Sequence, residues 1–258
     1  KAVLVSEDGA ILAQAAVAHE VSRPRSGHVE MDGEVWWDEF CALARRVLAD
    51  ASALRPDVRA VGVSGMGPCA LITDGAGAPL RPAILYGVDT RAGRQIERMT
   101  EQLGESEIVR VGGSRLTTQA IGPKLAWLAE HEPAVFERAR RLFMPASWLA
   151  FRLTGAYVLD HHSASQCSPL YDVDGAAWHG EWWERYAGRI EAPGLLWAGD
   201  IAGRVSADAA AISGLPAGTP VIAGTIDAWA EAVSVGALGE GDLMIMYGTT
   251  MFLIATTP

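Results

Sequence analysis

Short apolar runs in this chain end repeatedly in glycine-rich or acidic turns, and between them lie longer stretches with apolar residues every three or four positions. Ala2 to Val5 reads as a strand, Glu7-Asp8-Gly9-Ala10 as a hairpin turn and Ile11 to Val21 as the returning partner, so the chain opens inside a β-meander with a further strand expected ahead of Lys1. Gly33 to Ala51 carries Val35, Trp36, Phe40, Leu43, Val47 and Leu48 at helical spacing, with its charges mostly on the other face, which predicts a helix covering one side of a sheet. Val58 to Val63 is a buried-strand pattern ending in Ser64-Gly65-Met66-Gly67-Pro68. Cys69 to Thr73 is a second strand, closed by an Asp74-Gly75 turn, and Ala83 to Tyr86 ends in Gly87-Val88-Asp89-Thr90-Arg91. Strand, helix and strand with glycines at the strand ends predict α/β construction, in which ligands bind beyond the carboxyl ends of the strands.

Helices are expected over 92–103, 122–130, 133–141, 145–154 and 178–187, punctuated by Pro133, Pro145 and Gly155. Val158 to Ser165 reads as a polar loop. Its Asp160-His161-His162 has the residue types of a metal site, but adjacent histidines point apart and no third ligand follows at suitable spacing, so a solvated loop is the better reading. Ala207 to Ile212 is a short helix. The stretch that organises the rest comes next: Pro220 to Gly224 is a short apolar run and a helical pattern begins near Asp227, holding a carboxylate at a strand-to-helix turn. A second run, Leu243 to Tyr247, ends in Gly248-Thr249-Thr250, a small hydroxyl-rich turn whose backbone N–H groups suit a phosphate. One carboxylate and one phosphate-sized turn, each closing a strand, suggest phosphoryl transfer. On these residues alone two plainer readings stand beside it: Asp227 as a helix N-cap and Gly248 to Thr250 as a hairpin turn.

Composition narrows the field. With 258 residues, half of them hydrophobic, the chain can bury a full core. A net charge of −10 with 21 scattered basic residues argues against a nucleic-acid partner. Three widely spaced cysteines in no CxxC arrangement suit a reducing compartment, and a cytoplasmic location is expected. No apolar run approaches the length of a bilayer span, so no membrane partner is expected, while a homodimer is left open. The nine tryptophans read as core and domain-contact residues more readily than as a sugar platform, with Trp229 bordering Asp227.

In this order the motifs resemble the FGGY carbohydrate kinases. Gly27-His-Val-Glu-Met-Asp32 with Trp36-Trp37, Val61-Gly-Val-Ser-Gly65, Pro79-Leu-Arg-Pro-Ala-Ile-Leu-Tyr86 with Asp89 and Arg91, Lys124-Leu-Ala-Trp127-Leu and Arg152-Leu-Thr-Gly155 each match a stretch of that family. Gly224, Asp227 and Ala230 match its "G-x-x-D-x-x-A" signature. The resemblance implies an α/β, actin-like and ribonuclease H-like ATPase domain, a mixed central sheet flanked by helices, over residues 1–258. It also implies that the family's first phosphate loop would lie upstream of Lys1 and its carboxy-terminal nucleotide domain downstream, so that the chain is a fragment of a longer kinase that is inactive alone.

The same resemblance implies ATP-dependent phosphorylation of a sugar or polyol, with Mg2+ held largely through the phosphates and no protein metal ligand assigned. Asp227 would be the general base, for which a carboxylate of ordinary or lowered pKa suffices. Gly248, Thr249 and Thr250 would meet the transferred phosphoryl, and Met66, Gly67, Pro68, Asp89, Arg91 and Gln119 would border the sugar. The pocket departs from xylulokinases, whose Met-His pair is replaced by Gly67 and Pro68, and Ala228 follows Asp227 where relatives carry Asn or Gln, so a substrate other than D-xylulose or glycerol is expected. An Asp89–Arg91 surface pair is the structural alternative. A non-catalytic sugar-binding or sensor module is the main functional alternative, and an actin-like assembly protein a third.

Overall fold

The computed structural model describes residues 1–247 and 251–257. A hairpin of β1 (Ala2–Val5) and β2 (Ile11–Ala15) opens the chain, its turn closed by Ser6, whose N–H donates to Ala10 O at 2.9 Å. After β3 (Glu30–Met31), helix α1 (Gly33–Asp50) starts on Asp32, whose carboxylate accepts the Glu34 N–H at 3.0 Å. It buries Trp36, Trp37, Cys41, Leu43, Ala44 and Val47. Of the expected stripe Trp36, Leu43 and Val47 are buried, Phe40 and Leu48 are half-buried and Val35 is exposed, so the buried face is turned toward Trp37, Cys41 and Ala44. Residues 58–63 do not form the continuous strand expected of them. Val61 makes a single parallel bridge to Val221, and regular pairing begins only at β4 (Ser64–Gly65). Next come β5 (Leu71–Thr73) and β6 (Ala83–Ile84), the latter antiparallel to β3.

The middle of the chain is helical, with three departures from the expected pattern. Helices α2 (Gly93–Leu103) and α3 (Glu105–Gly112) are separated by Gly104 at φ +82°, and α3 went unread from sequence. Helices α4 (Ile121–His131) and α5 (Pro133–Phe136) follow. The helix expected to reach 141 stops at Phe136, because Arg141–Phe143 instead becomes strand β7, antiparallel to β5 with Phe143 opposite Leu71. Helix α6 (Pro145–Thr154) leads to β8 (Val158–Asp160) and α7 (His161–Ser165), so the expected solvated loop is a strand end and a helical turn. A small hairpin, β9 (Tyr171–Asp172) with β10 (Ala177–Trp178), precedes α8 (Gly180–Tyr186).

The last part returns to the sheet. Strand β11 (Gly194–Leu196) runs parallel to β8, and β12 (Ile201–Arg204) pairs antiparallel with β13 (Pro220–Ile222) across α9 (Ala207–Ser213). Strand β14 (Thr225–Ile226) runs parallel to β4 and passes directly into α10 (Asp227–Ser234). A hairpin of β15 (Leu243–Tyr247) and β16 (Met251–Ala255) ends the described residues, with Leu243, Ile245, Met251 and Leu253 exposed along it. The largest core groups Ile72, Ile84, Ile121, Leu125, Leu142, Trp182 and Ile226, and a second packs α1 against α6 through Trp37, Ala150 and Leu153. Six tryptophans are buried, Trp127, Trp182 and Trp183 in the first core, Trp37 in the second, and Trp36 and Trp148 in a third around Leu71 and Phe143, whereas Trp197 is 55% exposed. Among the described residues no helix is long and apolar enough to cross a membrane.

Candidate functional site

A parallel strand pair puts Asp227 where it is. Ser64 lies opposite Thr225 and Gly65 opposite Ile226, so the residues that follow, Met66 and Asp227, leave the sheet together at its carboxyl edge. Gly224 permits the approach: its φ is +72°, and a Cβ there would stand 2.2 Å from the Val63 carbonyl oxygen. Gly67 is similarly tight, since a Cβ on it would lie 2.5 Å from Ile226 Cγ1. The Met66–Pro68 loop therefore rests against the residue that carries Asp227 into its helix. Cys69 Sγ donates to Met66 O at 3.6 Å from below.

A buried hydrogen bond draws in the second parallel pair, β8 with β11. Asp160, 1% exposed at the end of β8, accepts the Thr225 hydroxyl at 2.7 Å and the Ser163 N–H at 3.1 Å, joining β8 to β14 and capping α7. Nothing in the residue pattern signals this bond, because a polar Asp-His-His run carries no apolar period. The two histidines make different second contacts, although both rings also pack on Trp197, with centroids 4.5 and 5.7 Å away. His161 Nδ1 meets the Tyr171 hydroxyl at 2.7 Å, and His162 turns toward Trp229, with ring centroids 5.7 Å apart.

Asp227 is the first helical residue of α10 and not its N-cap, a position held by Ile226. Its Oδ1 accepts the Ala228 N–H at 2.9 Å. The carboxylate stays open to solvent, yet the protein around it desolvates the charge enough to raise its pKa above the ordinary aspartate value, which outweighs the opposing pull of the backbone N–H groups.

Asp89 and Arg91 form no surface pair. Arg91 Nη2 donates to Asp89 Oδ2 at 2.7 Å, with both side chains fully buried, and the same oxygen accepts the Val29 N–H at 2.7 Å. Arg91 Nε reaches both Asp89 oxygens at 2.9 and 3.0 Å, and its Nη1 lies 2.7 Å from Glu30 Oε1. Arg81 continues the network from Glu30 to Glu132. Every contact of the Asp89 carboxylate is thus internal. Gln119 lies over the next turn of chain, its Oε1 accepting the Gly87 N–H at 3.3 Å. Gly248, Thr249 and Thr250 lie outside the described residues.

From sequence Lys124 stands out only as part of the Lys124-Leu-Ala-Trp127-Leu motif. The one visible signal was a lone cation in the run Ile121 to Leu128, every residue of which is buried. Its side chain is 1% exposed, Nζ donates to Pro68 O at 3.4 Å, and burial lowers its pKa from 10.5 to about 8. Away from Asp227, a cavity of about 460 Å3 opens between β1, α1 and residues 60–66, lined by Leu4, Phe40, Leu43, Val61, Ser64 and Met66 among others.

Comparison with known proteins agrees with this architecture. Residues 1–234 match the model of the N-terminal domain of the FGGY family of carbohydrate kinases. The xylulose kinase of Escherichia coli strain K12 is 30% identical over 251 residues, covering 97% of this chain and 50% of that protein. An autoinducer-2 kinase of Yersinia enterocolitica is 29% identical over 237 residues, covering 90% of this chain and 44% of that protein. The crystal structure of xylulose kinase from Rhodospirillum rubrum superposes with a TM-score of 0.92 at 27% identity, covering 98% of this chain and 52% of that one. The chain spans about half the length of the relatives it matches. Parallel and antiparallel strand pairs with flanking helices agree with the actin-like ATPase fold expected from sequence.

Proposed function

The chain belongs to the FGGY family of carbohydrate kinases, and from that premise we propose that it is the sugar-binding half of an enzyme that phosphorylates a hydroxyl of a sugar or polyol at the expense of ATP. The observation that carries this reading is the joint exit of Met66 and Asp227 from the carboxyl ends of β4 and β14. Asp227 accepts the proton of the attacking hydroxyl, and desolvation that moves its pKa toward the working pH makes it the stronger base. The Met66–Pro68 loop and Gln119 border the sugar, while Asp89 and Arg91 serve that side of the pocket from beneath, as a buried brace. ATP supplies the phosphoryl group, with Mg2+ on its phosphates, and the role proposed for Gly248, Thr249 and Thr250 is to meet the transferred phosphoryl.

Two uncovered surfaces fit an enzyme completed by further chain. The cavity between β1 and Ser64 suits a strand carrying the first phosphate loop, and the exposed apolar side of the β15–β16 hairpin suits a second domain. We place the enzyme in the cytoplasm, where its three buried cysteines stay reduced. The test is to incubate the native full-length protein with MgATP and a panel of ketoses, aldoses and polyols. One of them is expected to be phosphorylated; sugar binding without transfer to any would favour the sensor reading, and no binding at all would remove both.

A further inference from the structure

Lys124 points from α4 into the interior beneath the Met66–Pro68 loop. An ammonium has three donors, and the one hydrogen bond Lys124 makes among the described residues is the long one to Pro68 O. The titratable groups close enough to act on its charge are the thiols of Cys69 and Cys167 and the Asp89–Arg91 ion pair. Burial pushes the Cys69 thiol up to about 12 and raises the Cys167 thiol as well, so both stay neutral at working pH. Asp89 is already committed to Arg91 and to the Val29 N–H. The Pro68 carbonyl is left as the fixed acceptor. Helix α4 is itself held in place, for Ile121 N–H donates to Gln166 O at 3.2 Å and Gly122 N–H to Ser168 O at 3.1 Å.

We propose that Lys124 is a positioning residue of the transfer reaction, its ammonium holding the Pro68 carbonyl and so keeping the Met66–Pro68 loop seated against Ile226, beside Asp227. The inference rests on the kinase reading. What distinguishes it from simple core packing is that the charge works against folding. A lysine whose pKa falls from 10.5 to about 8 disfavours the folded state below the lower value, and that penalty is relieved only as pH rises between the two. An apolar side chain of equal length would avoid the penalty and lose the tether. Above pH about 8 the neutral amine still donates but, without its charge, holds the carbonyl less firmly.

The experiment compares the wild-type native full-length protein with Lys124→Met, which keeps the stem and removes the donors. The variant is expected to melt at a higher temperature at neutral pH. Its kcat/KM should fall about 10- to 100-fold, the equivalent of one charged hydrogen bond. Wild type should show a basic limb near the Lys124 pKa that the variant lacks. A variant equal to wild type in kcat/KM and pH profile overturns the inference while the kinase reading stands. A wild type that phosphorylates no sugar in the panel overturns both. If Lys124→Met does not fold, the stability argument fails with it.

Discussion

The Thr225 hydroxyl donates to Asp160 Oδ1 across 2.7 Å of protein interior, and this bond joins the strand that delivers Asp227 to a neighbour 65 residues earlier in the chain. Thr225→Val, close in shape, leaves Asp160 buried with the Ser163 N–H as its remaining partner. A loss of about 1–3 kcal/mol of stability is expected, the cost of stranding a buried acceptor. Urea denaturation measures it. A midpoint unchanged from wild type would mean that the bond contributes nothing.

Gly224 and Gly67 hold the site at different strengths. Gly224→Ala places a Cβ against a backbone oxygen at positive φ, so nothing flexible gives way and severe destabilisation is expected. Gly67→Ala meets the Ile226 side chain, which can shift, at a cost of about 1–3 kcal/mol. Its larger effect should be on KM for the sugar, because the loop moves away from Asp227. Thermal melts with steady-state kinetics separate the two, and an unaltered KM in Gly67→Ala would detach the loop from the sugar site.

Arg91 neutralises two carboxylates in the interior. Arg91→Met leaves Asp89 uncompensated, and a loss of about 3–5 kcal/mol is expected from breaking a buried pair on one side. The discriminating measurement is chemical denaturation beside sugar affinity: undiminished stability with weakened binding would make Asp89 and Arg91 direct sugar contacts after all.

Stability should also respond to pH through Asp227. Its folded pKa lies above the ordinary aspartate value, so the folded state binds the proton more tightly than the unfolded chain does. Stability from this group therefore falls as pH rises from the ordinary value through the raised one, and the charged carboxylate is a liability at neutral pH. Asp227→Asn should melt above wild type at neutral pH, and the gap should close in acid. An equal melting point at neutral pH would argue against the raised pKa.

Helix α1 was legible because burial on one face writes itself into spacing, and α6 because Pro145 and Gly155 mark its ends. Residues whose state depends on a distant partner were not. Arg141–Phe143 looks like the tail of a helix until Leu71–Thr73 pairs with it. Asp160 looks solvated until Thr225 reaches it. Asp227 was legible as chemistry because a carboxylate followed a short apolar run and a glycine. The direction of its pKa was not, since desolvation comes from elements far away in sequence. Lys124 stood in plain view in an apolar helix, but only the fold sets the Pro68 carbonyl above it.

The most direct measurement of the central claim is phosphoryl transfer by Asp227→Asn in the native full-length enzyme, at saturating sugar and MgATP, beside sugar binding by calorimetry. Turnover is predicted to fall by about 10²- to 10⁴-fold, as expected when a general base is lost, with sugar affinity largely kept. Turnover within a few-fold of wild type would show that Asp227 is not the base.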